Sequence, residues 1–155
     1  MKRINWKIFL SCLVVVYIAA FFGNLLTVQS VSSDWYQSIK PSITPPGWVF
    51  PIIWNVIYLF IVVSLYLSWR DSKPKQKKKL ALAFGVNLVL GVLWSLFYFW
   101  MQNPLLALID IIPFWISILF MILITKKINK TSAYLLVPYL VWVTFATVLN
   151  YLSVF

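Results

Sequence analysis

The chain is 155 residues long, 63% hydrophobic and only 10% charged, with thirteen Lys and Arg against three acidic residues and a formal charge of +10. A mean hydropathy of +0.91 excludes a soluble globular domain and makes this an integral membrane protein. With no His, no Glu and one Cys, a histidine triad, a paired-Glu glycosidase, a histidine-ligated haem, a His or two-Cys metal site and an intramolecular disulfide are all excluded.

Uncharged runs long enough to cross a bilayer, which takes roughly 20 residues, follow one another along the chain. Lys2, Arg3 and Lys7 precede the first, which predicts a helix over Ile8–Leu26. That run is too long for a secretory signal and lacks a small-residue cleavage site, so it is read as a retained span. Cys12 lies within it as a small buried hydrophobe. Next comes Val28–Gly47, a connector containing Trp35, Pro41, Pro45 and Pro46. Together with Pro51 these prolines fix φ and remove amide donors, so the connector is stiff and enters a second helix, Trp48–Ser68, at a defined place. The connector therefore reads as a lid over a membrane-embedded aromatic site.

Arg70, Lys73, Lys75, Lys77, Lys78 and Lys79 separate this helix from a third over Leu80–Trp100. Gln102-Asn103-Pro104 breaks the chain before a fourth helix over Leu105–Thr125, which carries Asp110. Lys126, Lys127 and Lys130 lead to the fifth, Ala133–Ser153. The predicted fold is an all-α bundle of five transmembrane helices, a single domain over residues 1–155 without internal repeats.

All the cations except Lys40 flank the same ends of these helices. The positive-inside rule then puts the N-terminus in the cytoplasm, and the C-terminus and the Val28–Gly47 loop outside. The Arg70–Lys79 cluster is read as a topology determinant in contact with anionic lipid headgroups; it implies no nucleic-acid partner.

A helix rises about 1.5 Å per residue, so topology assigns depths. Trp54 and Asn55 on the second helix, Trp94 and Ser95 on the third, Asp110 on the fourth and Asn150 on the fifth share the outer half of the bilayer. Ala146 lies below Asn150, Asn87 deeper, and Trp142 near mid-membrane. Asn87, Gly91, Trp94 and Ser95 share one helical face, and Trp142, Ala146, Leu149 and Asn150 repeat that spacing. Asp110, Phe114 and Ser117 share another. Each stripe alone matches ordinary helix packing, where small and polar residues meet. Four at one depth beneath a stiff loop match a ligand pocket, mostly apolar with a few convergent polar groups.

Asp110 has no lysine partner within the spans, so it is read as neutral or hydrogen-bonded to indole N–H or Asn groups, in a structural or ligand-orienting role. A transporter of hydrophobic metabolites would instead use it as a coupling group. A regulatory membrane partner would dock on exposed faces, such as the small-residue series Ala81, Gly85 or Gly91, Ser95 on the third helix; that series is better suited to homodimerisation.

The segments KPSITPPGWVFPIIWNVIY, NLVLGVLWSLFYF with a following ALIDI, and PYLVWVTFATVLNY resemble, in this order, the tryptophan-rich sensory protein family (TspO/MBR), which includes the mitochondrial translocator or peripheral benzodiazepine receptor proteins. The resemblance runs from Trp35 to Tyr151. It implies a five-helix bundle, commonly dimeric, whose pocket beneath the first loop binds porphyrins and, in mitochondrial members, cholesterol and benzodiazepine-type drugs. Carried over by motif, the pocket residues would be Trp35, Trp48, Trp54, Asn87, Trp94, Asp110, Trp142, Ala146, Leu149 and Asn150. Trp54, Trp94 and Trp142 would be the stacking walls, or the electron donors in the light-dependent porphyrin breakdown associated with some bacterial relatives.

No cofactor is obligatory in that reading. Porphyrin is the ligand or the substrate and supplies the hard chemistry itself; without His, a metal-free porphyrin is the better fit. The vertebrate cholesterol motif needs a cation after its Tyr, whereas Leu149-Asn150-Tyr151 is followed by Leu-Ser-Val-Phe, so high-affinity cholesterol binding is not expected. Similarity to the bacterial members places the chain in a bacterial cell membrane.

Overall fold

A computed structural model describes residues 4–155; Lys2 and Arg3, counted above among the cations ahead of the first span, lie outside the described residues. Helix α1 (Trp6–Val28) starts where the Asn5 side chain accepts the Ile8 amide at 3.3 Å. A short α2 (Asp34–Ile39) lies in the connector, capped by Ser33. The second span is α3 (Val49–Asp71) and the third is α4 (Pro74–Ser95), which continues as a π-turn over Leu96–Trp100. The π-turn is marked by the Met101 amide donating to the Leu96 carbonyl at 2.8 Å, five residues back. Helix α5 (Pro104–Lys126) is capped by Asn103 and begins with proline, whose missing N–H costs nothing in the first turn. The fifth span is divided into α6 (Lys130–Leu135) and α7 (Val137–Leu152).

Five helical spans are long and apolar enough to cross a membrane, as expected from the uncharged runs. Two bounds differ from that expectation. The third helix begins at Pro74 rather than Leu80, so the lysine cluster is helical. Lysine is a good helix former, and the Lys73 amide donates to Gln76 Oε1 at 2.7 Å to cap the start. The fifth span is broken at Leu136, just before Pro138, where the ring leaves no N–H for the carbonyl one turn back.

The spans close into a ring. α1 packs on α3 and α4, α4 on α5, α5 on α6 and α7, and α6 on α3. Cations cluster at one end of it, where α1, α4 and α6 begin and α3 and α5 finish; this is called the basic end below. The interior is filled by Val16, Ile61, Leu80, Phe84, Ile118, Met121, Leu136 and Val143, all essentially inaccessible. Leu10, Ile18, Val86, Ile112 and Val141 face outward, which in a membrane is the lipid face, so these helices are apolar all round.

Small and polar residues set the closest approaches, as lipid-embedded helices require. A Cβ on Gly23 would stand 3.6 Å from Ser95 Oγ, joining α1 to α4. Toward the basic end, Ser64 Oγ donates to the Ser132 carbonyl at 2.9 Å. The Ser132 hydroxyl returns a bond to the Ser64 carbonyl and meets Ser68, so three hydroxyls clamp α3 to α6.

The small-residue series of α4 divides. At Gly91 an added Cβ would lie 3.2 Å from the ring of Phe114, which is buried, whereas at Gly85 it would meet nothing within 4 Å. Gly91→Val should therefore destabilise the fold by about 1–3 kcal/mol through overpacking, and Gly85→Val by much less. Thermal unfolding of the two variants in the same detergent, followed by circular dichroism, checks the difference.

Candidate functional site

Two groups of packed aromatic residues lie away from the lysine-rich end. One lines the seam between α3 and α7. These helices have little backbone approach and meet instead through rings. Phe50 of α3 contacts Trp142 of α7 edge-on at 5.8 Å, and Trp54 contacts Tyr139 at 6.2 Å. Trp54 also stacks on Tyr58 at 5.5 Å, one turn further along α3. Phe114 of α5 backs this layer, 6.0 Å from Tyr139. The seam rings of Phe50, Trp54, Tyr58 and Trp142 are half-buried, while Tyr139 and Phe114 are fully enclosed.

The second group joins the connector to α4. Trp35 and Tyr36 of α2 pack on Tyr98 at 6.0 and 6.5 Å, and Tyr36 also meets Phe99. Ser30 Oγ donates to the Phe99 carbonyl at 3.0 Å and ties the loop to the π-turn. Burial and the neighbouring Tyr98 phenol push the Tyr36 hydroxyl up to about 12, so it stays neutral at any physiological pH. Trp94 bridges the groups. Its ring stacks on Tyr98 at 5.2 Å, and its indole N–H donates to Asn150 Oδ1 at 3.0 Å.

The predicted residues can now be placed. Trp54 and Trp142 lie on opposite sides of one seam, with Ala146 half-buried one turn beyond Trp142. Leu149 and Asn150 are buried. Asn150 donates from Nδ2 to the Pro104 carbonyl at 2.8 Å while accepting from Trp94, so it locks α7 to α4 and α5. Asn87 is likewise consumed by packing. Tyr139 donates its hydroxyl to Asn87 Oδ1 at 3.1 Å, and Asn87 Nδ2 donates to Ser117 Oγ at 2.8 Å. These two amides hold the site's walls in place; their polar atoms are already occupied.

Trp35 belongs to the connector group rather than to the seam. Trp48, at the start of α3, is 68% exposed, the position of an interfacial aromatic. Asn55 is exposed as well and turns its amide onto the Pro51 carbonyl at 2.8 Å. The connector is thus pinned over the α4 end by Trp35 and Tyr36, and its second half carries Trp48 outward.

Two polar atoms at this end are buried without a hydrogen-bond partner among the described residues, Thr44 Oγ1 in the connector and Asp110 Oδ2 within a span. Asp110 is 8% exposed on the inner face of α5, one turn from Phe114. An unmatched buried carboxyl oxygen one turn from the Phe114 ring that backs the seam is a free polar anchor within the spans.

Three seam residues were not singled out in the sequence: Phe50, Tyr58 and Tyr139. Their spacing pointed to them, since Phe50 and Tyr58 stand four residues either side of Trp54, and Tyr139 three before Trp142. No group of three or more His, Cys, Asp or Glu side chains able to hold a metal occurs among the described residues.

Comparison with known sequences fits this architecture. The TspO/MBR family matches residues 11–154. A "Tryptophan-rich protein TspO" of Archaeoglobus fulgidus is 38% identical over 146 residues, covering 94% of this chain and 93% of that one. The protein of the same name from Chlorobaculum tepidum is 34% identical over 143 residues, covering 90% and 89%. A "Tryptophan-rich sensory protein" of Cereibacter sphaeroides is 27% identical over 150 residues, covering 96% and 90%. With five apolar spans long enough to cross a bilayer, the chain is a multi-pass membrane protein, and it belongs to the TspO/MBR family.

Proposed function

We propose that the protein binds a planar hydrophobic tetrapyrrole of the protoporphyrin type at the α3–α7 seam, and serves as a membrane sensor or binding protein for it. The observation that carries this reading is the seam itself, where two helices are held apart by Phe50, Trp54, Tyr139 and Trp142. A flat conjugated ligand replaces ring-on-ring contacts with its own faces, exchanging apolar area for apolar area. Asp110 supports the reading, because a metal-free tetrapyrrole carries pyrrole N–H donors and the orphaned Oδ2 is an acceptor at the same end. The name of the Cereibacter sphaeroides relative, a sensory protein, is in keeping with this role. Other flat apolar molecules, benzodiazepine-type drugs among them, suit the same walls.

Titrating protoporphyrin IX into the purified protein should shift the Soret band and quench tryptophan emission. Trp142→Ala should weaken binding about tenfold, equivalent to about 1.4 kcal/mol, by removing one wall of the seam. Trp48→Ala should leave it unchanged. Unchanged spectra in both channels, or equal losses in the two variants, would overturn the assignment.

The lysine-rich end is placed in the cytoplasm by the positive-inside rule, with the connector outside. In a Cys12→Ala background, Lys40→Cys should react with a membrane-impermeant maleimide on intact cells, and Lys78→Cys only after lysis. The reverse pattern inverts the topology. A homodimer would use the outward row Leu82, Val86 and Val89 of α4, each more than half exposed, since Gly91 and Ser95 of the same helix face inward.

A further inference from the structure

A second feature lies at the basic end. A groove of about 420 Å³ runs between α1 and α4, floored by Cys12, Leu65, Phe84 and Leu88, all buried. Its rims are exposed on the lipid side: Ser11 and Val15 on α1, Ala81 on α4. Gly85 leaves the α4 rim bare, with no heavy atom within 4 Å of where a Cβ would stand. Its volume falls in the range of small-molecule sites, about 300–1,000 Å³.

The polarity of the groove is graded along its length. From Val15 to Ser11 the walls are effectively apolar, because the Ser11 hydroxyl is spent on the Lys7 carbonyl at 2.9 Å. At the basic end stand Lys7, which lines the groove, and Trp69, with Lys77 Nζ 5.6 Å from its ring centre. No acidic residue lines it; Asp71, the nearest acid in sequence to Trp69, is held by Arg70 at 2.9 Å and by Asn129 at 2.7 Å. Lys7 and Val15 are eight residues apart, so the wall of α1 extends about 12 Å into the membrane.

We infer that this groove holds one acyl chain of an anionic phospholipid, with the phosphate at Lys7 and Lys77. An anionic head joined to an apolar tail matches both ends of the groove at once. The mouth opens sideways, so the occupant arrives from the bilayer and not from the aqueous phase. Here a chain lies against a recessed floor contributed by three helices, α1, α3 and α4. Basic residues beside membrane ends attract anionic lipids by about 1 kcal/mol each, and the recess makes that attraction local. This inference is independent of the tetrapyrrole reading, which concerns the opposite end.

Native mass spectrometry in a mild detergent, with phosphatidylglycerol or phosphatidylcholine of identical chains, tests it. The protein should retain one phosphatidylglycerol at least tenfold better than phosphatidylcholine. Gly85→Phe, which fills the groove, should abolish that adduct, and Lys7→Gln with Lys77→Gln should erase the headgroup preference. A photoreactive group on the acyl chain of phosphatidylglycerol should crosslink the wild type at residues 11–15 and 81–88, which tests the site even if a variant fails to fold. Equal retention of the two lipids, or crosslinks spread evenly over the spans, overturns the inference. It also fails if Gly85→Phe turns a dimer into a monomer with lipid retention unchanged, since the groove is then covered by a second copy of the chain.

Discussion

Everything in this bundle depends on one demand of the bilayer: a polar group that leaves water must find its partner inside the protein. Helices satisfy the backbone, and the side chains follow the same rule with few exceptions. Asn87 joins Tyr139 to Ser117, Asn150 joins Trp94 to Pro104, and Ser132 draws Ser64 and Ser68 together. Each of these ties links two or three spans. The ring of helices is therefore fastened by a handful of amides and hydroxyls, while its apolar packing differs little in kind from contact with lipid tails. Against that background the orphaned oxygen of Asp110 stands out, because it breaks the rule at the depth where the aromatic seam lies.

The ties also explain why the seam lies where it does. Near the lysines α3 is clamped to α6 by three serines, and across the ring α7 is held to α4 and α5 by Asn150. Between these fixed points α3 and α7 diverge, and the space is taken up by rings. A Trp or Tyr can span such a gap without bringing an unmatched polar atom with it, provided its N–H or O–H has somewhere to go. Tyr139 satisfies this through Asn87. The interrupted fifth span belongs to the same arrangement: both α6 and α7 pack on α5, but only α6 also packs closely on α3, and that contact ends at Leu136.

Five spans were legible because membrane thickness converts directly into run length. That Trp54 and Trp142 turn inward was legible too, since helical spacing assigns a face. Other features were hidden for definable reasons. A tryptophan at the water interface and one in a pocket read alike, so Trp48 was grouped with Trp54 although it points outward. A buried amide reads equally as a ligand contact or as a clasp; only its neighbours decide, and for Asn87 and Asn150 they are protein groups. Lysines mark the end of an uncharged run but not of a helix, which is why α4 starts a turn and a half earlier than its apolar stretch. The π-turn leaves no periodic signature at all.

That π-turn has a consequence for how this chain tolerates change. Length variation in proteins normally accumulates in exposed loops. Here one surplus residue is stored inside a span, between Leu96 and Trp100, within the same turn that supplies the carbonyl-and-ring platform on which the connector rests. Removing it would restore regular winding but turn Tyr98 and Phe99 away from α2 by about 100°, the rotation of one helical residue. The phase of α4 and the seat of the connector are thus a single inherited quantity, and neither can be altered by insertion or deletion without the other.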